Sequence, residues 1–375
     1  MNAEFFFSDP SGDIPVGPSE RDLPLLTAPE CSHPFLTLGN YLDSIEDFIF
    51  TKALHTIPDL EERDPVRCLK IRSEKQGIFY HVLSIEIQLE TRTLRAVLNV
   101  AISDEGRSCM LREYETLSFL FREFPYHYIP EPYCLHESVI ACQDKCQPVS
   151  YMLAQWFEGF HEWHVSDKEG ERGRLLFIWD TDKGHRPAQP EEAFAIIRQA
   201  SRIATLYFDP VTGREIHPWR HAAGDFIVRT SGGFTEARLI TARNYLSVIK
   251  EPPDNEAGKI LHTIYFLFHL LVFARLDRIL GVGEIVWMDT FMLEAALSGF
   301  FEAIEERKDE LERPGILRSE LIDILKSFER DELAAIHESL FSYYPLEDRE
   351  EQNALERGLA SHIDDLFLVL RNFHL

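Results

Sequence analysis

The residue types best suited to chemistry in this chain gather between positions 217 and 243. His217 and His221 stand at i and i+4, so a helical loop would put both imidazoles on one face, with Asp225 following at the same spacing. Such a trio suits a metal ion or acid–base work, because imidazole and carboxylate are common metal ligands and proton carriers near neutral pH. The alternative is that these histidines hydrogen-bond and pack at a domain junction. Asp225 is thus the candidate catalytic and metal-binding residue, with His217 and His221 beside it. Arg220, Arg229, Arg238 and Arg243 bring positive charge to the same stretch. They would receive an anionic ligand in bidentate fashion or be neutralised by neighbouring carboxylates. A second imidazole pair, His161 and His164 in His161-Glu162-Trp163-His164, has no recognisable third ligand near it and reads as an interdomain surface loop. The aromatic run Trp156, Phe157, Phe160 and Trp163 would either line a ligand cleft or pack in a core.

The whole-chain properties narrow what these groups can meet. The chain has 375 residues, a size at which two packed units are expected rather than one. Its formal net charge of -25 repels phosphate backbones and anionic membrane surfaces, so nucleic acid and membrane are excluded as partners and a small anionic ligand or a protein partner is kept. Oligomeric state is not legible. Six cysteines match no structural zinc spacing and read as reduced thiols of a cytoplasmic protein. The amino terminus has Phe5-Phe6-Phe7 but no basic leader, which argues against secretion. Residues 260 to 280 are apolar enough to suggest a membrane span, yet they carry His262, His269, Arg275, Asp277 and Arg278, so a buried helix is expected.

The elements that must position the candidates follow from periodicity. Residues 1–34 are proline-rich and read as an extended arm. A helix is expected over 38–55, with Leu42, Ile45, Phe48 and Ile49 on one face. Three strands follow, over 66–72, 78–89 and 94–102, the second marked by Ile85, Ile87 and Leu89 alternating with polar residues. An amphipathic helix over 108–124 and strands over 133–141 and 149–156 complete an antiparallel sheet of about five strands with one crossing helix. From Pro190 the pattern is helical, broken by a hairpin near 222–241 with Ser231-Gly232-Gly233 at its tip. The domains are then an arm (1–34), a sheet-bearing N-lobe (35–157) and a helical C-lobe (158–375).

This layout, with particular residues, resembles the aminoglycoside and choline phosphotransferase group, small-molecule kinases with the two-lobed fold of protein kinases. The resemblance covers residues 65 to 310 and implies an α+β, bilobal, protein-kinase-like fold: a small antiparallel-sheet N-lobe plus one helix, and a larger, mostly helical C-lobe. Arg95-Ala96-Val97-Leu98-Asn99-Val100 resembles the family strand whose lysine holds nucleotide phosphates, but Asn99 stands at the lysine position. Arg112-Glu113-Tyr114 resembles the helix whose glutamate orients that lysine, and Glu113 is present. Tyr151 to Gly159, including Gln155 and Trp156, is similar to the hinge whose backbone would meet an adenine. The catalytic loop H-G-D-x-H-x-x-N is matched by the stretch from His217 to Val228, with Trp219 in place of the base and Asp225 near the asparagine. Thr241 occupies the place of the metal-binding aspartate, which leaves magnesium without its usual carboxylate. The cleft candidates are therefore Asn99, Glu113, Gln155, Trp156, Trp219, Arg220, Thr241 and Arg243. The resemblance implies a pseudokinase: a nucleotide is its only cofactor candidate, and it would bind a ligand or partner without ordinary phosphoryl transfer. Two other readings stay open, an atypical phosphotransferase built around Asp225 and a scaffold or oligomerisation module.

Overall fold

The structure is a computed structural model of the 375-residue chain. It describes residues 2–9, 12–28, 31–61, 65–77, 79–167, 174–180, 184–217, 222–247, 249, 255–311, 317–343 and 349–373. The chain is α+β and divides into two compact units, Met1–Glu158 and Gly159–Leu375.

The first unit contains β1 (Asn2–Phe7), β2 (Ile14–Pro15), α1 (Pro18–Arg21), β3 (Pro24–Ala28), β4 (Cys31–Thr37), α2 (Leu38–Phe48), β5 (Cys68–Gln76), β6 (His81–Gln88), β7 (Thr93–Ala101), α3 (Asp104–Glu123), β8 (Pro132–Cys142) and β9 (Lys145–Gln155). Seven of the strands form one sheet in the order β2-β1-β5-β6-β7-β9-β8. The alternation read from the sequence sets its two faces. Leu83, Ile85 and Ile87 of β6 and Ala96, Leu98 and Val100 of β7 point into a core closed by Tyr41, Leu42, Ile45 and Phe48 of α2. On the opposite face α3 packs through Met110 against Ala101 and Met152, with Tyr80 and Tyr114 at the edge.

Three expectations need correction in this unit. The arm expected over 1–34 is built into the fold: β1 pairs in parallel with β5, Asn2 opposite Cys68 through Phe7 opposite Ser73, and β3 pairs with β4. Its partner strand lies far along the chain, so no local turn signal announces the pairing. The sheet accordingly has seven strands, and one of its pairs is parallel, where about five antiparallel strands were expected. The helix expected over 38–55 keeps α geometry only to Phe48 and continues as a π turn over Ile49–Ala53 and a 3-10 turn over Leu54–Thr56. Ile78, the expected start of the second strand, lies outside the described residues.

The second unit contains β10 (Trp163–Asp167), β11 (Arg174–Asp180), β12 (Gly184–Pro187), α4 (Pro190–Leu206), β13 (Arg214–His217), α5 (Ala222–Asp225), β14 (Phe226–Ser231), β15 (Phe234–Leu239), β16 (Asn244–Ser247), α6 (Glu256–Phe273), β17 (Leu276–Arg278), β18 (Ile285–Trp287), α7 (Phe291–Glu306), α8 (Lys308–Leu311), α9 (Arg318–Ser327), α10 (Arg330–Tyr343) and α11 (Arg349–Asn372). The expected hairpin is present as β14 and β15, and Gly232 and Gly233 at its tip both have positive φ, as a tight primed turn requires. A three-stranded sheet, β10-β11-β12, was not expected; its strands are short and their register is set by partners rather than by a local turn motif. Helix α4 lies against α7 so closely that a Cβ on Gly299 would sit 2.0 Å from the carbonyl oxygen of Arg198. Ser201 of α4 donates to the carbonyl of Ala296 at 2.6 Å across the same contact. Of the apolar stretch expected as one helix over 260–280, only the part to Phe273 is helical, in α6, and Leu276–Arg278 form β17; α6 is long and apolar enough by composition to cross a membrane, and 67% of it is buried within the fold.

Candidate functional site

Each unit has its own cluster of functional side chains. In the first, Glu113 of α3 is 2% exposed, which for a carboxylate demands strong partners. The Tyr80 hydroxyl donates to its Oε2 at 2.8 Å and also lies 3.0 Å from the Cys109 sulfur, one turn earlier on α3. Burial, with the negative charge of Glu113 added, pushes the Tyr80 hydroxyl far above its ordinary pKa, so it stays a neutral donor. Two local features deliver Tyr80 there. Ser103 caps α3 by accepting from the Gly106 amide at 3.0 Å. Gly106 in turn lets the Phe79 backbone close on the helix, since a Cβ there would stand 2.4 Å from the Phe79 carbonyl oxygen. Asn99 is half-buried on β7, in register between Val82 and Met152. Gln155 serves the backbone before β8: its amide donates to the Glu131 carbonyl at 2.9 Å and its Oε1 accepts from the Glu131 amide at 3.4 Å.

The same sheet face carries a polar depression of about 480 Å³, lined by Glu86, Thr93, Leu94, Arg95, Trp156 and Glu158. A narrower extension runs on past Phe6, Lys70, Arg72 and Ser84. Arg95 stands at the middle, bonded to Glu86 at 2.9 Å and to Glu158 at 2.6 Å. Flanked by two carboxylates, this guanidinium already has its charge matched, so the depression offers Trp156 as an aromatic platform beside a neutralised ion triad.

In the second unit Asp225 ends α5 and is 6% exposed. Its backbone carbonyl accepts from the Ile240 amide at 2.8 Å, which ties the end of β15 to the end of α5. Arg243 approaches its carboxylate at 3.9 Å. Asp277 of β17, also buried, accepts from the Ala223 amide at 3.0 Å and the Arg278 amide at 2.7 Å. Burial pushes its pKa up from 3.8 to about 7, with the charge of Asp225 adding to the rise and the two backbone donors opposing it. Asp225 and Asp277 are thus two buried acids close enough for the charge of one to raise the pKa of the other. Thr241 is half-buried in the segment after β15. Trp219, Arg220 and His221 lie outside the described residues.

The remaining candidates separate. Arg229 and Arg238 flank the Phe160 ring, with guanidinium carbons 4.7 and 4.9 Å from its centroid. Arg229 is also paired with Glu236, its cross-strand neighbour, at 2.5 Å. Of the two readings for the arginines, neutralisation by a carboxylate describes Arg229, a carboxylate faces Arg243, and Arg238 stacks on Phe160 and donates to the Ala237 carbonyl at 2.8 Å. His161 and His164 take different partners: His161 is 3.7 Å from Asp180, and His164 is 3.4 Å from Glu162 with its ring 4.0 Å from that of Trp179. His217 lies in a further cluster, and its expected partner His221 is outside the described residues. Among the described residues, one group of three could ligate a metal: Glu215, His217 and His269, with donor atoms all within 4.8 Å of one another.

Sequence reasoning missed Tyr80, Cys109, Asp277, Glu215 and His269. Glu215-Ile216-His217 did hold a signal, since i and i+2 on a strand share a face. The rest are long-range meetings. No known protein family matches this chain, and no curated protein does.

Proposed function

We propose that the chain is a degenerate, protein-kinase-like protein of the aminoglycoside and choline phosphotransferase type, a pseudokinase that binds a ligand or protein partner and does not carry out ordinary phosphoryl transfer. The observation that carries this reading is the partner of Glu113. In an active kinase of this type the helix glutamate orients a lysine that neutralises nucleotide phosphate. Here a neutral, buried Tyr80 hydroxyl takes the carboxylate at 2.8 Å. A polar amide, Asn99, occupies the strand position where the ammonium would stand. A neutral hydroxyl bound to this carboxylate brings no positive charge that could stabilise a transferring phosphoryl group. The order of elements supports the finer fold: a sheet with α3 between β7 and β8, then α4, a loop, the β14–β15 hairpin and further helices. A cytoplasmic setting suits the six free cysteines, of which Cys31 and Cys146 are exposed.

One observation favours a second reading, an atypical transferase. A buried acid whose pKa is about 7, beside Asp225, is tuned as a general base would be. A single pair of measurements on the full chain separates the readings. ATP with and without magnesium should raise the melting temperature, as a ligand of the native state at 100 times its Kd stabilises by about 2.7 kcal/mol. Turnover of the γ-phosphate should stay at background. Turnover that disappears in Asp225→Asn would establish the transferase instead, and no shift with any nucleotide would leave the scaffold reading.

A further inference from the structure

From the cluster of Glu215, His217 and His269 we infer a binding site for a divalent transition-metal ion, separate from the Glu113 and Asp225 clusters. The site is assembled from two elements that the sequence keeps far apart. Glu215 and His217 are alternate residues of β13, which pairs with β16 in the register Glu215 opposite Leu246 and His217 opposite Asn244, so both side chains leave the same face of a two-stranded ribbon. His269 comes from the buried middle of α6. Its Nδ1 is 2.8 Å from Glu215 Oε1, and both side chains are almost fully buried, at 2% and 3% exposure. His217 is half-buried, which leaves the cluster one side toward solvent.

The dimensions suit an ion. Two tetrahedral ligands at about 2.1 Å from a zinc ion stand about 3.4 Å from each other, so the Glu215 and His269 donor atoms, 2.8 Å apart, need to part by about 0.6 Å. The ring centroids of His217 and His269 are 6.2 Å apart with planes 37° from parallel. Two imidazoles sharing one tetrahedral ion have centroids about 5.4 Å apart, from a metal–nitrogen bond of about 2.1 Å and roughly 1.2 Å more to each ring centre, so these rings need to close by less than about 1 Å. The donor set is two imidazole nitrogens and one carboxylate oxygen, which fits zinc, iron(II) or cobalt(II) and not magnesium or calcium, which prefer all-oxygen shells. Three protein ligands leave a fourth position for water, the arrangement of sites that bind or activate a small ligand rather than closed structural sites. The competing account is a buried His269–Glu215 ion pair with His217 beside it, which would need no metal.

The test is a titration of the full chain, stripped with chelator, with Zn2+ and with Co2+. One ion should bind per chain, Co2+ should give the intense visible bands of a four-coordinate site, and Zn2+ should erase them. His217→Ala, the half-exposed ligand, and Glu215→Gln, which keeps the side chain's shape, should each weaken binding at least about 100-fold, since even outer partners of metal ligands cost 10–100-fold. Both variants are to be checked for an unchanged far-ultraviolet spectrum, and the wild-type cobalt spectrum stands even if one fails to fold. A near-ultraviolet thiolate band would place the ion on cysteines and overturn the assignment. So would no binding, or binding untouched in both variants.

Discussion

Replacing Tyr80 by phenylalanine removes one oxygen from a position where the structure makes it matter. The ring stays, so the packing of Tyr80 against Met110 and Ala101 is preserved and the loss is confined to the hydrogen bond to Glu113 at 2.8 Å and the weaker contact to Cys109 at 3.0 Å. A hydrogen bond to a charged group contributes about 1.5–3 kcal/mol net of the water bonds it replaces, so about 2 kcal/mol is expected. That corresponds to roughly a 30-fold rise in the population of opened molecules. Because the chain has two units, a global melt would blur the effect, whereas peptide-level amide exchange across α3 and β7 reads the first unit by itself. Exchange there should quicken by roughly 30-fold, and peptides of the second unit should stay as they were. A double-mutant cycle with Glu113→Leu isolates the pair, and a coupling of about 1.5–3 kcal/mol is expected for groups in such contact. Exchange changed by less than about twofold, with no coupling, would refute the claim that the Tyr80 hydroxyl holds the buried carboxylate, and the functional proposal would lose its support.

Two further outcomes follow from the second unit. The folded-state pKa of Asp277 is raised, so the fold favours its neutral form: this contribution to stability is complete below pH 3.8 and is lost as pH rises through about 7. Spread over about three pH units at 1.36 kcal/mol each, the loss is at most on the order of 4 kcal/mol, and Asp277→Asn should remove that pH dependence from melting curves taken between pH 4.5 and 8. A variant curve parallel to wild type would contradict the assignment. Gly299→Ala forces a methyl group against the Arg198 carbonyl where α4 and α7 touch, and overpacking of this kind costs about 1–3 kcal/mol, which urea unfolding at pH 7 would measure.

Much of the frame was legible beforehand because it is written in local periodicity. The alternation of Ile85 and Ile87 with polar neighbours placed β6, the helical spacing of Leu117 and Leu120 placed α3, and Ser231-Gly232-Gly233 placed the hairpin turn. Each is decided by residues within a few positions of one another. The residue types at the positions singled out by resemblance, Asn99 and Thr241, were equally plain, because a residue type is fixed whatever the fold does with it. What surrounds those residues was not readable. The pairing of Phe5 and its neighbours with β5, the meeting of Tyr80 with Glu113, of Asp277 with Asp225, and of His269 with Glu215 and His217 all join segments well separated in sequence. Such contacts arise from how whole elements pack, which depends on the summed burial of many side chains and leaves no trace in the spacing of any few. The types and the periods were determined by sequence alone. Which imidazole faces which carboxylate was decided only when the elements closed on one another, since desolvation and Coulomb attraction act between neighbours in space.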